Sequence, residues 1–242
     1  MRRPWPDLRA RSTAPELMDD LAIGGQELTG ALRELRIINR VLGSARITRE
    51  GVERLWRAAG RPRRLSILDV GAGSGDAGRA LLRWAERAAV EMDITLLDIN
   101  PATCAEAERY FAGEPRVRVR QGDLFDLAPG SADIVTAAFV LHHFEDGRLG
   151  AALQALARAA RIGVVVNDLH RSAVAWVAIR LATAALSRNR MIRHDAQLSV
   201  ARGFRSADLR RLRGLPGLER LSYAWRPMYR WLVLIPGAGR DA

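Results

Sequence analysis

Three glycines at alternate positions, Gly71, Gly73 and Gly75, follow an apolar run that ends in an acid, Ser66-Ile67-Leu68-Asp69-Val70. Glycines at such a turn let a ligand approach the main chain closely and permit backbone angles that a Cβ forbids. The helix that opens behind the turn offers free N–H groups and a partial positive charge. Ala77, Ala80, Leu81, Trp84 and Ala88 recur with that helix's period, so the segment reads strand, glycine turn, helix. The spacing Gly-x-Gly-x-Gly differs from the Gly-x-Gly-x-x-Gly of dinucleotide sites, although Gly78 extends the run. Two further short runs also end in acids: Thr95-Leu96-Leu97-Asp98, and Val117-Arg118-Val119-Arg120-Gln121-Gly122-Asp123 before Leu124. Asn100-Pro101 caps and opens the helix after the first of them.

A second group of residues suits proton transfer. The apolar run Asp133 to Val140 ends in Leu141-His142-His143-Phe144, and imidazole titrates near neutrality, so a histidine here can take a proton from a hydroxyl. Neighbours on one chain point in different directions, so at most one of the pair faces a ligand. The competing reading is a strand-end cap or a partner for core carbonyls. The run Gly163-Val164-Val165-Val166 ends in Asn167-Asp168-Leu169-His170-Arg171, and Arg193-His194-Asp195 is polar as well. The candidate proton acceptors are therefore His142, His143, His170 and His194, with Asp168 as a carboxylate alternative. No His-x-x-x-His or Glu-x-x-His pair is present, and this spacing predicts no metal.

These residues need a scaffold. Strands are predicted near 65–70, 93–98, 116–120, 132–139 and 162–168, with helices between them, which implies a parallel sheet with ligands at the carboxyl ends of its strands. Ahead of them, Leu28, Leu32, Leu35, Ile38 and Leu42 mark one helix, and Thr48 begins a second through Trp56. A helix from Ser172 to Ser187 leads into Arg188 to Asp195, which shows little core character. A helix near Ala207 to Leu212, capped by Ser206, precedes two last strands, Leu218 to Trp225 and Tyr229 to Ile235. Arg226-Pro227 between those strands leaves room for a hairpin but not for a crossover helix.

The 242 residues suffice for one well-buried α/β domain with an appendage, and 48% apolar content fits a globular chain. The net charge of +11 invites a nucleic-acid reading. Yet all 38 basic residues are arginine, scattered through every helix without a basic tail, so composition favours a small-molecule partner over nucleic acid. Cys104, the one cysteine, has no internal disulfide partner and suits a half-buried thiol in a reducing cytoplasm. Arg2 and Arg3 precede prolines and an aspartate, not the apolar stretch of a signal peptide, and Ala173 to Leu186 is too short and too interrupted by Arg180 to span a membrane. A cytoplasmic location is expected; the oligomeric state is left open.

Taken together, the glycine turn and the three strand-ending acids resemble the class I S-adenosylmethionine-dependent methyltransferases from about Leu65 to Ile235. The resemblance implies an α/β fold with a Rossmann-like, doubly wound, seven-stranded and mainly parallel sheet, its last strand antiparallel beside the fifth. It also implies an N-terminal helical cap over 1–61, a methyltransferase domain over 62–242 and a lid insertion at about 171–205. S-adenosylmethionine is then the cofactor, with Gly71, Gly73 and Gly75 under its methionine part and Asp69 near its amino group. Asp98 is implied on the ribose hydroxyls, and Asp123 with Leu124 at the adenine. The end of the fourth strand faces the transferable methyl, which favours His142 or His143 as the base. Leu35-Arg36-Ile37-Ile38-Asn39-Arg40, Arg193-His194-Asp195 and Ser199 to Phe204 resemble a ubiquinone-biosynthesis-like subgroup encoded beside type III polyketide synthases. There these segments form a lid over an aromatic product, and Arg40 joins the cofactor-binding set. Catechol-type enzymes hold magnesium with acids after the fourth strand, where this chain has His142-His143. Ala138-Phe139-Val140-Leu141 replaces the Pro-Pro-aromatic run of DNA amino-methylating enzymes, and Cys104 does not follow a proline as a cytosine C5 nucleophile must. The expected activity is methylation of a small molecule, O-directed onto a phenolic, polyketide or quinone-like acceptor. An RNA-modifying methyltransferase and a non-catalytic cofactor-binding protein are the alternatives.

Overall fold

Strands and helices alternate along the chain, and the computed structural model, which describes residues 6–20 and 23–237, assembles the strands into one seven-stranded sheet. Arg2 and Arg3 lie outside the described residues. Helices α1 (Gly25–Val41) and α2 (Ser44–Ala58) come first. Then follow β1 (Arg64–Val70), α3 (Asp76–Arg87), β2 (Glu91–Asp98), α4 (Pro101–Tyr110), β3 (Val117–Gln121), β4 (Ala132–Ala138), α5 (Asp146–Ala159) and β5 (Ala160–Leu169). Helices α6 (Ala173–Leu186), α7 (Arg190–Arg202) and α8 (Ser206–Arg213) precede the hairpin of β6 (Ser222–Arg226) and β7 (Arg230–Pro236). The order across the sheet is β3-β2-β1-β4-β5-β7-β6. Strands β1 to β5 pair in parallel, whereas β7 inserts antiparallel between β5 and β6, as the sequence leads one to expect. Met228 and Tyr229 turn the hairpin with φ of +62° and +55°.

Adjacent residues on the central strands alternate between two buried faces. Ile67, Ile94, Ile134, Val165 and Leu232 meet α2 and α3 through Val52, Leu55, Leu81 and Trp84. Leu68, Val135, Val164 and Val233 meet α5 and α8 through Leu149, Leu153, Leu156 and Leu209. Both faces being covered explains why the strands read as continuous apolar runs rather than as alternating ones.

Local differences from the sequence reading have local causes. The stretch from Arg188 to Asp195 is largely helical: Asn189 accepts from the Met191 and Ile192 amides and so starts α7. Met191 and Ile192 are fully buried against Leu28 and Leu32 of α1, a stripe distant in sequence that no local periodicity reveals. The second helix begins at Ser44 rather than Thr48, after Gly43 in the left-handed region. Ser206 is the first residue of α8 and not its cap. Leu218 and Leu221 belong to buried turns ahead of β6, and Cys104 is buried, its Sγ 3.5 Å from the Asp98 carbonyl.

Helix α2 lies so close to the sheet that a Cβ at Gly51 comes within 2.4 Å of Val165 Cγ1 and 3.0 Å of Leu232 Cδ1. Overpacking of this kind costs about 1–3 kcal/mol. Gly51→Ala should lower the stability measured by urea unfolding by that amount, and an unchanged midpoint contradicts the packing described.

Candidate functional site

The carboxyl ends of β1, β2, β4 and β5 open onto a cavity of about 850 Å³. Single-ligand pockets run to about 300–1,000 Å³, so this one has room for a large ligand with a second molecule beside it.

One end is built from the glycine turn. Gly73 has φ of +56°, and nothing lies within 4 Å of where its Cβ would stand, so the space a side chain would fill is a cradle open to the cavity. Its N–H donates to Asp98 Oδ2 at 3.0 Å, while the Asn100 N–H donates to Asp98 Oδ1 at 3.0 Å. The end of β2 is thereby tied to the turn after β1. Burial raises the Asp98 pKa, against those backbone hydrogen bonds. Asp69, 3% exposed, receives the Thr136 hydroxyl at 2.5 Å. Burial, helped by the nearby charges of Asp76 and Asp98, pushes its pKa up to about 7 against the Thr136 bond. Asp123 lines the cavity while accepting from the Phe125 N–H at 3.0 Å, and Leu124 beside it anchors in the core.

Two of the residues expected at the ligand do not line the cavity. Gly75 does not line the cavity: a Cβ there meets Phe111 Cε2 at 2.5 Å and Leu96 Cδ1 at 2.7 Å, so this glycine serves helix-to-sheet packing. Arg40 is exposed on α1 and outside the lining. Its neighbours reach the loop instead. Arg36 Nε lies 3.4 Å from Asp76 and 3.3 Å from Ser74 Oγ with its guanidinium 3.8 Å over Tyr110, and Asn39 donates to Asp76 at 3.2 Å.

The other end carries the imidazoles. Phe139, at φ +58°, turns the chain out of β4, and residues Leu141–His143 form a single 3-10 turn. Asp168, on β5, holds that turn: Oδ2 accepts from the Leu141 and His142 amides, and Oδ1 meets His142 Nδ1 at 2.7 Å. Burial opposes ionisation of Asp168, but the His142 charge and hydrogen bond hold it below the usual carboxylate range. Asp168 is thus a positioning residue for His142 rather than a group open to a ligand.

His143 Nδ1 meets Asp19 Oδ1 at 2.5 Å. Burial opposes its protonation, yet the Asp19 bond and the charges of Glu16 and Asp19 raise the His143 pKa. Both acids come from residues 6–20, which cross the mouth of the cavity. Asp195 on α7 accepts the Leu17 and Met18 amides, and Arg202 bonds Asp19 together with the carbonyls of His142 and His143. Sequence reasoning missed Glu16, Asp19 and Arg202, since no motif joins them to the histidines. His170 is packed between Tyr229 and Trp231 outside the lining, and burial lowers its pKa. His194 is half exposed, turned to Asp195 and likewise outside. Of the proposed proton acceptors, the structure brings only His142 and His143 to the cavity.

Residues 67–163 match the methyltransferase domain family. That segment is similar to a methyltransferase domain, and the sheet that holds it has the Rossmann-like class I methyltransferase fold. Structural similarity extends to human N-acetylserotonin methyltransferase in complex with SAM, at 16% identity and a TM-score of 0.59 over 87% of this chain and 55% of that one. It extends also to magnesium protoporphyrin IX methyltransferase from Synechocystis PCC 6803 with bound SAH, at 17% identity and 0.54 over 83% and 87%. The CMeT domain structure of the citrinin polyketide synthase matches at 15% identity and 0.54 over 72% of this chain and 46% of that one. This chain therefore spans about half the length of the first and third of these. No curated protein matches it. Among the described residues no helix is long and apolar enough to cross a membrane.

The open cradle at Gly73 and the acids around it suit a cofactor with a cationic amino acid part and a diol. Asp69 is protonated below a pH of about 7 in the free protein and is favoured as carboxylate beside an ammonium group. S-adenosylhomocysteine affinity should therefore rise with pH up to about 7, by at most tenfold per unit, and level off above it. Calorimetry with Asp69→Asn should show that rise abolished; a flat wild-type profile removes Asp69 from the cofactor's amino group.

Proposed function

We propose that this protein transfers the methyl group of S-adenosylmethionine to an oxygen of a small, largely apolar acceptor of phenolic, polyketide or quinone-like type. The observation that carries the proposal is a single cavity with two chemically different ends. Gly73, Asp69 and Asp98 form one end; at the other, His142 and His143 stand among Leu32, Leu35, Ile179 and Met228. The bound cofactor supplies an electrophilic methyl on a sulfonium. Asp98 receives the ribose hydroxyls on lone pairs that the Gly73 and Asn100 amides leave free. Asp69 faces the amino group, and Asp123 with Leu124 borders the adenine. The apolar walls exclude water and hold a flat acceptor, while His142, fixed through Nδ1 by Asp168, directs Nε2 toward the acceptor's hydroxyl.

Holding nucleophile and methyl in line is the larger contribution, since intramolecular alignment supplies roughly 7–11 kcal/mol of a barrier. Helices α6 and α7 close over the histidine end as a lid, and α1 runs along the cavity, its Leu32 and Leu35 in the lining and its Arg36 and Asn39 at the glycine loop.

Labelled S-adenosylmethionine incubated with phenols, hydroquinones, alkylresorcinols and bulk RNA tests the reading. Label should enter a phenolic compound; label confined to RNA overturns the assignment. Asp98→Asn should weaken S-adenosylhomocysteine binding about 10- to 100-fold in calorimetry, the loss of a charged hydrogen bond being worth about 1.5–3 kcal/mol. Undiminished affinity in a folded variant removes Asp98 from the cofactor site.

A further inference from the structure

We infer that Glu16, His142 and His143 form a binding site for a divalent transition ion of the Zn²⁺ type, an inference that rests on the proposed methyl transfer for its purpose but not for its existence. One potential ligand atom from each of these residues lies within 4.8 Å of the others. His142 Nε2 and Glu16 Oε1 are 3.6 Å apart, too far for a hydrogen bond. Two ligands about 2.0–2.1 Å from one tetrahedral ion stand roughly 3.3 Å from each other, so that separation suits a shared cation, and small side-chain rotations bring in the third.

An orphaned atom supports the same conclusion. Glu16 is 5% exposed, and its Oε1 has no hydrogen-bond partner, while Oε2 is satisfied by Ser199 at 2.9 Å. A buried carboxylate oxygen without a donor is costly unless a charge meets it. Arg202 reaches it only as a long ion pair, its Nε 3.9 Å away and donating to the His142 carbonyl instead, so Oε1 keeps a lone pair free for a ligand.

The supporting shell is that of a metal site. Metal-bound histidines usually give their second ring nitrogen to a carboxylate, which fixes the ring and raises its basicity. Here both do: Asp168 holds Nδ1 of His142 at 2.7 Å and Asp19 holds Nδ1 of His143 at 2.5 Å, leaving each Nε2 to face an ion. Two imidazoles and a carboxylate select Zn²⁺ and its neighbours over Mg²⁺ or Ca²⁺, which prefer oxygen donors throughout. The spacing rule applied to the sequence could not detect this set, because its third member comes from the distant segment that crosses the cavity mouth.

Three protein ligands leave a fourth position, and all three residues line the cavity. An acceptor hydroxyl placed there loses its proton to solvent more readily. Its oxygen then forms the C–O bond to the methyl carbon as the C–S bond breaks, and sulfur retains that electron pair. His142 acts in this scheme as a ligand and not as the base.

The test uses the full chain after dialysis against a chelator. Titration with Co²⁺ should give visible ligand-field absorption of a four-coordinate site at one equivalent, and Zn²⁺ should abolish it by displacement. Glu16→Gln and His143→Ala should lose the spectrum while binding S-adenosylhomocysteine as the wild type does, and Asp19→Asn should weaken metal affinity about 10- to 100-fold. A folded, cofactor-binding wild type that gives no such spectrum, or equal affinity in all these variants, overturns the site. Methylation of a phenol at full rate by the stripped protein overturns the ion's role in the transfer and leaves the proposed function standing; stoichiometric metal binding without methylation of any acceptor supports the site and refutes that function.

Discussion

Carboxylates at the carboxyl ends of parallel strands govern this architecture, because a charge withdrawn from water must find donors nearby. Asp98 takes the amides of Gly73 and Asn100, and Asp168 takes those of Leu141, His142 and Leu169. Each acid therefore dictates the course of the turns beside it: Asp98 ties the glycine loop to the start of α4, and Asp168 folds the exit of β4 into a single helical turn. Asp69 receives the Thr136 hydroxyl and retains a strongly raised pKa, which marks it as the carboxylate with most to gain from a cationic ligand.

The sheet alone leaves these edges open, and elements from before β1 and after β5 cover them. Helix α1 is fastened to the glycine loop by Arg36 and Asn39, and to α7 by Leu28 and Leu32 against Met191 and Ile192. Residues 6–20 are fastened in turn by Asp195 and Arg202, and by Arg11, which bonds the carbonyls of His142, Phe144 and Arg202. Asp168 of β5 is therefore joined at the imidazoles by Glu16, Asp19 and Arg202, which come from chain segments with no part in the sheet. Acceptor selectivity can diverge in such a scaffold while the cofactor end stays constant.

Local regularities made much of this legible. Apolar runs ending in Asp69, Asp98 and Asp168 specify strands and their loaded ends, since a strand buried on both faces has to be apolar throughout. Gly73 is readable as a turn glycine from its place in the alternating Gly71-Gly73-Gly75 run, and the short Arg226-Pro227 connection announces an antiparallel hairpin.

Tertiary structure decided the rest. Gly75 and Gly73 look alike in sequence, yet one packs against Phe111 and the other opens onto the cavity. Arg36, Asn39 and Arg40 share one helix, yet the first two reach the loop and the third, a turn beyond Arg36, is left exposed. Of the four candidate histidines the favoured pair, His142 and His143, comes to the cavity at the end of β4, whereas His170 lies among aromatic rings and His194 is half exposed beside Asp195. Glu16 and Asp19 carry no sequence signal, because their importance arises from where the chain crosses the cavity mouth. Periodicity and turn chemistry act between near neighbours and are written in the sequence, whereas the meeting of distant side chains depends on how whole elements pack.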